Sequence, residues 1–130
     1  MGKETIRIRV AYSMVEEVDK ISDVRHPLVR ESLLLTDLNE GIEITSTADI
    51  PGKGTGLGSS SSYTVGLLNA LYAYKSIKVD PYKIASEACE IEIKRCGEPI
   101  GKQDQFAASF GGLKMYEFMP NETVNVHDIK

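Results

Sequence analysis

Residues 51–62 run Pro-Gly-Lys-Gly-Thr-Gly-Leu-Gly-Ser-Ser-Ser-Ser, and an apolar stretch of helical period follows at once. Closely spaced glycines let a backbone draw close to a ligand. Four serines then open a helix whose first N–H groups have no partner within it. The positive end of such a helix favours an anion, so the chemistry on offer is phosphate binding. A nucleoside triphosphate or a phosphorylated metabolite is the expected ligand. The segment is not a Walker A loop, because Lys53 sits near its start and is followed by Gly54, and it does not fit G-x-G-x-x-G. The competing reading is a plain Gly/Ser surface turn. Four serines running into an apolar helix argue against it.

A second unusual stretch is Gly101-Lys-Gln-Asp-Gln-Phe-Ala-Ala-Ser-Phe-Gly-Gly112. It sets Asp104 at the start of a short helix, flanked by two glutamines. Such an aspartate is either a helix N-cap or a carboxylate that accepts or orients a hydroxyl proton during phosphoryl transfer. Glu92 lies twelve residues earlier on an expected helix. It is either a solvated surface glutamate or, facing the phosphate loop, a Mg²⁺ ligand working with a serine hydroxyl. Mg²⁺ takes oxygen ligands and keeps several waters.

The elements that must position these groups follow from periodicity and caps. Residues 5–12 alternate apolar and polar as a strand, and a charged connection covers 16–25. Residues 26–38 read as a helix with Pro27 in its first turn and Leu28, Leu35 and Leu38 on one face. Residues 41–48 alternate again. A helix over 59–75 carries Val65, Leu68, Leu71 and Tyr72 as its buried stripe. Asp80 caps the next helix, with Pro81 at its first position, and that helix runs to Cys96 before Gly97. Ile84, Ala88, Ile91 and Arg95 share one of its sides. A loop over 97–103, a short helix over 104–109, a strand over 113–118 and a further extended piece at 124–126 complete the chain. The order β-α-β-loop-α-α-β-β predicts an α+β fold.

Composition narrows the partners. With 130 residues, 42% of them hydrophobic, the chain makes one domain with a core. Net charge is −4, and no basic patch carries interleaved aromatics, so nucleic acid is not an expected partner. No apolar run is long enough to span a membrane. The N-terminus lacks an apolar signal core, and Ile6 breaks the myristoylation pattern. Cys89 and Cys96 match neither a zinc nor a redox spacing, and read as buried free thiols in a reducing, cytoplasmic setting. Asn121-Glu-Thr123 is a glycosylation sequon only in a secreted protein.

Three segments together resemble the GHMP small-molecule kinases, and within them the D-glycero-D-manno-heptose 7-phosphate kinases. They are Gly56-Leu-Gly-Ser-Ser-Ser-Ser62, Gly66-Leu-Leu-Asn-Ala-Leu-Tyr-Ala-Tyr74 and Gly97-Glu-Pro-Ile-Gly-Lys-Gln-Asp-Gln105. The likeness extends through His26-Pro-Leu-Val-Arg-Glu31 and Gly41-Ile-Glu-Ile-Thr45. It implies the family's N-terminal domain, similar to domain two of ribosomal protein S-five, with a mixed or antiparallel sheet and helices on one face.

It also implies ATP and Mg²⁺ as cofactors and a phosphorylated sugar as acceptor. Gly54, Gly56, Leu57, Gly58, Ser59, Ser60 and Ser61 would wrap the ATP phosphates. Ser60 would contact Mg²⁺, with Ser59 as the alternative, and Glu92 falls at the family's second Mg²⁺ position. Asp104 stands at the catalytic aspartate, with Lys102 and Gln103 toward the substrate. The acceptor would be the anomeric hydroxyl and the product a 1,7-bisphosphate. The loop between Pro51 and Gly56 is one residue longer than the family pattern, which leaves the roles of Gly52 and Lys53 open. The family's first motif would precede Ile6 and its third would follow Lys130. Residues 1–130 are therefore expected to form a single partial domain, truncated, without the C-terminal domain and with little turnover alone. Two other readings stand beside this one. One is a non-catalytic remnant acting as a homodimer through an open sheet edge or with a partner chain. The other is a fucose- or galactose-type kinase.

Overall fold

The structure is a computed structural model that describes residues 7–38, 41–46, 59–98, 100–111 and 114–128. Strand β1 (Ile8–Ala11) pairs antiparallel with β2 (Val15–Val18) and parallel with β3 (Ile42–Thr45), giving a mixed sheet of order β2-β1-β3. Helix α1 (Pro27–Leu35) makes the crossover between the parallel strands. Helices α2 (Ser59–Tyr74) and α3 (Pro81–Cys89) follow, and a π-helical segment, Glu90–Arg95, continues α3. Helix α4 (Gln103–Phe110) leads to a separate antiparallel hairpin of β4 (Lys114–Phe118) and β5 (Val124–Asp128).

The strand β2 lies within the stretch read as a charged connection. Val15-Glu-Glu-Val18 looks like surface because its two glutamates are adjacent, yet the pleat sends them to opposite faces. Glu17 lies opposite Arg9 on the outer face, and Glu16 lies opposite the fully buried Val10. Glu16 is stabilised there by three donors. The Tyr12 hydroxyl and the Arg25 amide each donate to it at 2.6 Å, and the His26 amide donates at 3.0 Å. The outer face carries ion pairs of Arg9 with Glu17 and Glu43.

Helices α1 and α2 cover the inner face of the sheet. Ile8 and Val10 pack against Val29, Leu33, Leu67 and Leu71. The His26 ring accepts from the Val29 amide and caps α1, with Pro27 at the first position, and Asp80 and Pro81 start α3 in the same way. Within α1 the fully buried leucine is Leu33, while Leu28 and Leu35 are half-buried against a second cluster and Leu38 is buried beyond the helix end. Helix α2 is apolar on two sides. Leu67 and Leu71 face the sheet, and Val65, Leu68 and Tyr72 pack on Ile84, Ala88 and Ile91. Each fully buried side chain of this kind contributes about 1.5–3 kcal/mol, which outweighs the ~1 kcal/mol cost of the exposed Gly66 in the helix interior. A third cluster joins Ala85 and Cys89 of α3 to Phe106 of α4 and Val124 of β5.

Both cysteines are free, Cys89 buried and Cys96 half-buried. Burial pushes the Cys89 thiol up to about 11. Among the described residues, no helix is long and apolar enough to cross a membrane.

Candidate active site

Helix α2 begins at Ser59, so the serines form its first turn as the sequence predicts. Gly54, Gly56, Leu57 and Gly58 lie outside the described residues, and Ser59 is placed only by its backbone. The next two serines meet Glu92. Ser60 Oγ donates to Glu92 Oε2 at 3.1 Å, and Ser61 Oγ donates to the same oxygen at 3.3 Å. One turn along, Thr64 Oγ1 donates to the Ser60 carbonyl at 2.9 Å.

Glu92 is not a solvated surface residue, since its exposure is 0%. The reason lies in helix α3 and the π-helical segment that continues it, whose shared buried side runs Ala85, Cys89, Glu92 at intervals of four and three and carries the carboxylate inward. The second carboxylate oxygen, Oε1, has no hydrogen-bond partner among the described residues. Burial holds the carboxyl above the usual range, and the hydroxyls of Ser60 and Ser61 pull against that shift. A buried oxygen left without a partner is costly. Beside serine hydroxyls at a helix N-terminus, it completes an all-oxygen donor set of the kind Mg²⁺ takes. No group of three or more His, Cys, Asp and Glu side chains able to hold a metal is found among the described residues. An ion here would draw its remaining ligands from hydroxyls, waters and phosphates.

Asp104 is exposed on the first turn of α4. It is not the N-cap. That position is Lys102, without a side-chain cap bond, because the helix starts one residue earlier than the sequence suggests. An acid in the first turn still meets the positive end of the helix. Lys102 and Gln103 line a groove of about 450 Å³ against Phe118, Met119 and Val124 of the hairpin, and Lys102 Nζ donates to the Glu122 carbonyl at 3.3 Å.

Two groups at the site escaped the sequence reading as site residues. Thr64 sits one turn beyond the serines. Gln105 is fully buried beside Glu92. With its amide oriented by its contacts, Gln105 donates to the carbonyls of Gly101 at 3.2 Å and Lys102 at 3.0 Å, tying Asp104's turn to the carboxylate's surroundings. Its only signal in the sequence was a polar residue beside Phe106 on an apolar helix face.

Comparison with known proteins bears on this geometry. The model of the GHMP kinases N terminal domain matches residues 18–112. A D-glycero-alpha-D-manno-heptose 7-phosphate kinase of Campylobacter jejuni is 40% identical over 83 residues, which is 64% of this chain and 24% of that protein. A galactokinase of Pyrococcus furiosus is 34% identical over 107 residues, covering 82% of this chain and 29% of that protein. The crystal structure of a D-glycero-D-manno-heptose 1-phosphate kinase from Bacteroides thetaiotaomicron superposes with a TM-score of 0.83 at 31% identity, over 98% of this chain and 45% of that one. The chain thus spans 24% and 29% of the two curated relatives' lengths. With its mixed sheet, its serine-opened helix and the matched 95-residue stretch of 18–112, the chain belongs to the GHMP kinases and has the fold of their N-terminal domain.

Proposed function

We propose that this chain binds Mg·ATP at the serine turn of α2 and, as part of a complete kinase, serves phosphoryl transfer to a sugar phosphate. The acceptor is the anomeric hydroxyl of a heptose 7-phosphate and the product is a 1,7-bisphosphate. The observation that carries this reading is the buried Glu92 carboxylate, which is held by Ser60 and Ser61 through one oxygen and has the other unused.

Ser60 and Glu92 would hold Mg²⁺, which when bound supplies positive charge against the phosphates. Gly54, Gly56, Leu57, Gly58, Ser59, Ser60 and Ser61 would cradle those phosphates through the loop and the helix N-terminus. Asp104 would take the proton of the attacking hydroxyl as its oxygen bonds to the γ-phosphorus and the bond to ADP breaks. Lys102 and Gln103, on the groove beside it, would meet the acceptor.

Titration of the purified chain with Mg·ATP by calorimetry tests the reading, with saturable one-site binding as the expected outcome. A chain that is folded by circular dichroism and shows no heat would overturn it for this domain by itself. A galactose-type acceptor is the second reading, favoured by the 34% identity to the galactokinase across 82% of this chain. Assaying heptose 7-phosphate against galactose with a longer protein that carries this domain separates the two.

A further inference from the structure

At the regular α-helical period Arg95 would follow Ile91 onto the buried side of its helix. The π-helical segment prevents this. The Cys96 amide reaches back five residues to the Ile91 carbonyl at 2.8 Å, so the buried side steps from Ile91 to Cys96, which packs on the α2–α3 cluster. Arg95 is turned out toward α1. Its Nη1 lies 3.6 Å from Glu31 Oε1 and its Nε lies 2.9 Å from Glu90 Oε2, while Arg30 Nε holds the other Glu31 oxygen at 2.9 Å. Glu31 is well covered, with a side chain 16% exposed. The wide turn is closed by the Glu98 amide on the carbonyl of Glu92 itself, at 2.9 Å, across Gly97 in the left-handed region at φ 70. Glycine takes that conformation without the steric cost a Cβ brings.

We infer that Arg95 and Glu31 are positioning residues for Glu92. The Arg30–Glu31–Arg95–Glu90 network anchors both flanks of the π turn to α1, and so sets where the Glu92 carboxylate sits beneath Ser60 and Ser61. Partly exposed ion pairs taken singly add little to stability, so what this network mainly supplies is position. The carboxylate does need it, because its own bonds to the serines are long, at 3.1 and 3.3 Å, and restrain it weakly. Groups that orient a metal ligand are commonly worth tenfold or more in metal affinity. The inference rests on Glu92 being the metal-holding group of the proposed function.

The test compares Arg95→Met, which keeps the aliphatic stem, with Arg95→Lys in the chain as it stands. Calorimetry with Mg·ATP should show about tenfold weaker binding by Arg95→Met and partial recovery by Arg95→Lys. ATP titrated in the presence of a chelator should bind both variants as it binds the unsubstituted chain. Arg95→Met that binds Mg·ATP normally, or that loses both forms of ATP alike, overturns the inference, since a packing role would not discriminate between them. A second measurement needs no nucleotide. The ¹³C resonance of the Glu92 carboxyl, assigned by its loss in Glu92→Gln, should move in Arg95→Met, and an unmoved resonance overturns the inference. Should the unsubstituted chain bind no Mg·ATP, the proposed function fails, and the carboxyl resonance still decides the positioning role.

Discussion

Glu16 and Glu92 are both buried carboxylates, 7% and 0% exposed, and they are built in opposite ways. Glu16 accepts three short hydrogen bonds, two of them from backbone amides at the entry to α1. Burial alone would raise its pKa, but the Tyr12 hydroxyl and the Arg25 and His26 amides outweigh it and hold the carboxyl below its usual value. The same bond and burial push the Tyr12 hydroxyl up to about 12. Glu92 has two long bonds on one oxygen and none on the other, and its pKa is raised. Glu16 is saturated and staples a loop to a sheet. Glu92 is left unsaturated beside the helix N-terminus where the proposed function places an anion and its counter-ion. Burial by itself therefore does not tell these two carboxylates apart; the count of donors does, and the proposed function makes that the difference between a structural and a metal-holding group.

The largest expected effect is on the staple. Glu16→Ala strands a hydroxyl and two amides, each worth about 1–3 kcal/mol when left unpaired in the interior. Urea unfolding should show a loss of about 3 kcal/mol or more; a loss under 1 kcal/mol would mean water replaces the carboxylate freely. Glu92→Gln removes a poorly solvated charge, so the same experiment should give unchanged stability or a gain of about 1 kcal/mol. Its Mg·ATP affinity should fall tenfold or more. A destabilised Glu92→Gln with intact binding would reverse the assignment of the two roles.

The smallest effect is in pH dependence, where the two groups have opposite signs. The folded pKa of Glu16 lies below the usual value near 4.5. Its contribution is present above that value and is lost as pH falls through the folded one. The folded pKa of Glu92 lies above the same usual value. The native state therefore holds the proton more tightly, and stability declines as pH rises from 4.5 through the folded value. Urea midpoints followed from pH 3 to pH 8 should lose the acid-side drop in a Glu16→Gln chain and the decline above pH 4.5 in a Glu92→Gln chain. Parallel curves for both would remove the distinction.

Much of this was legible in the sequence, for identifiable reasons. Proline at a first helical position marked α1 and α3, and Asp80 marked a cap, because these residues act locally. The four stripe residues of α2, Val65, Leu68, Leu71 and Tyr72, are all buried. Leu67 was missed because a helix buried on two sides has no single stripe. Strand β2 hid behind adjacent glutamates, and the burial of Glu16 depends on donors nine and ten residues away that no local pattern reveals. Arg95 was placed on one side with Ile84, Ala88 and Ile91 because periodicity assumes a regular helix, and nothing in Glu-Ile-Glu-Ile-Lys-Arg signals a π turn. Glu92 facing a serine hydroxyl stood as one of two alternatives, and the choice of Ser60 came from family resemblance, since periodicity cannot join groups 32 residues apart. The glycine segment that drew the sequence reading first lies outside the described residues.

That 32-residue separation also orders events during synthesis. The N-terminal residues leave the ribosome first and are the first free to pair. β1, β2, α1 and β3 can assemble as soon as Thr45 clears the ribosome, because their pairings lie wholly within that stretch. The serine helix emerges next, with the Leu67 and Leu71 that pack on that sheet in the folded chain. A nascent chain at that stage carries the helix end proposed to bind an anion, without its acidic counterpart. The Glu92 carboxylate emerges later, with the segment that must also find α1, so under the proposed function the competence for a metal-chelated nucleotide is gained only after the serine helix is in place.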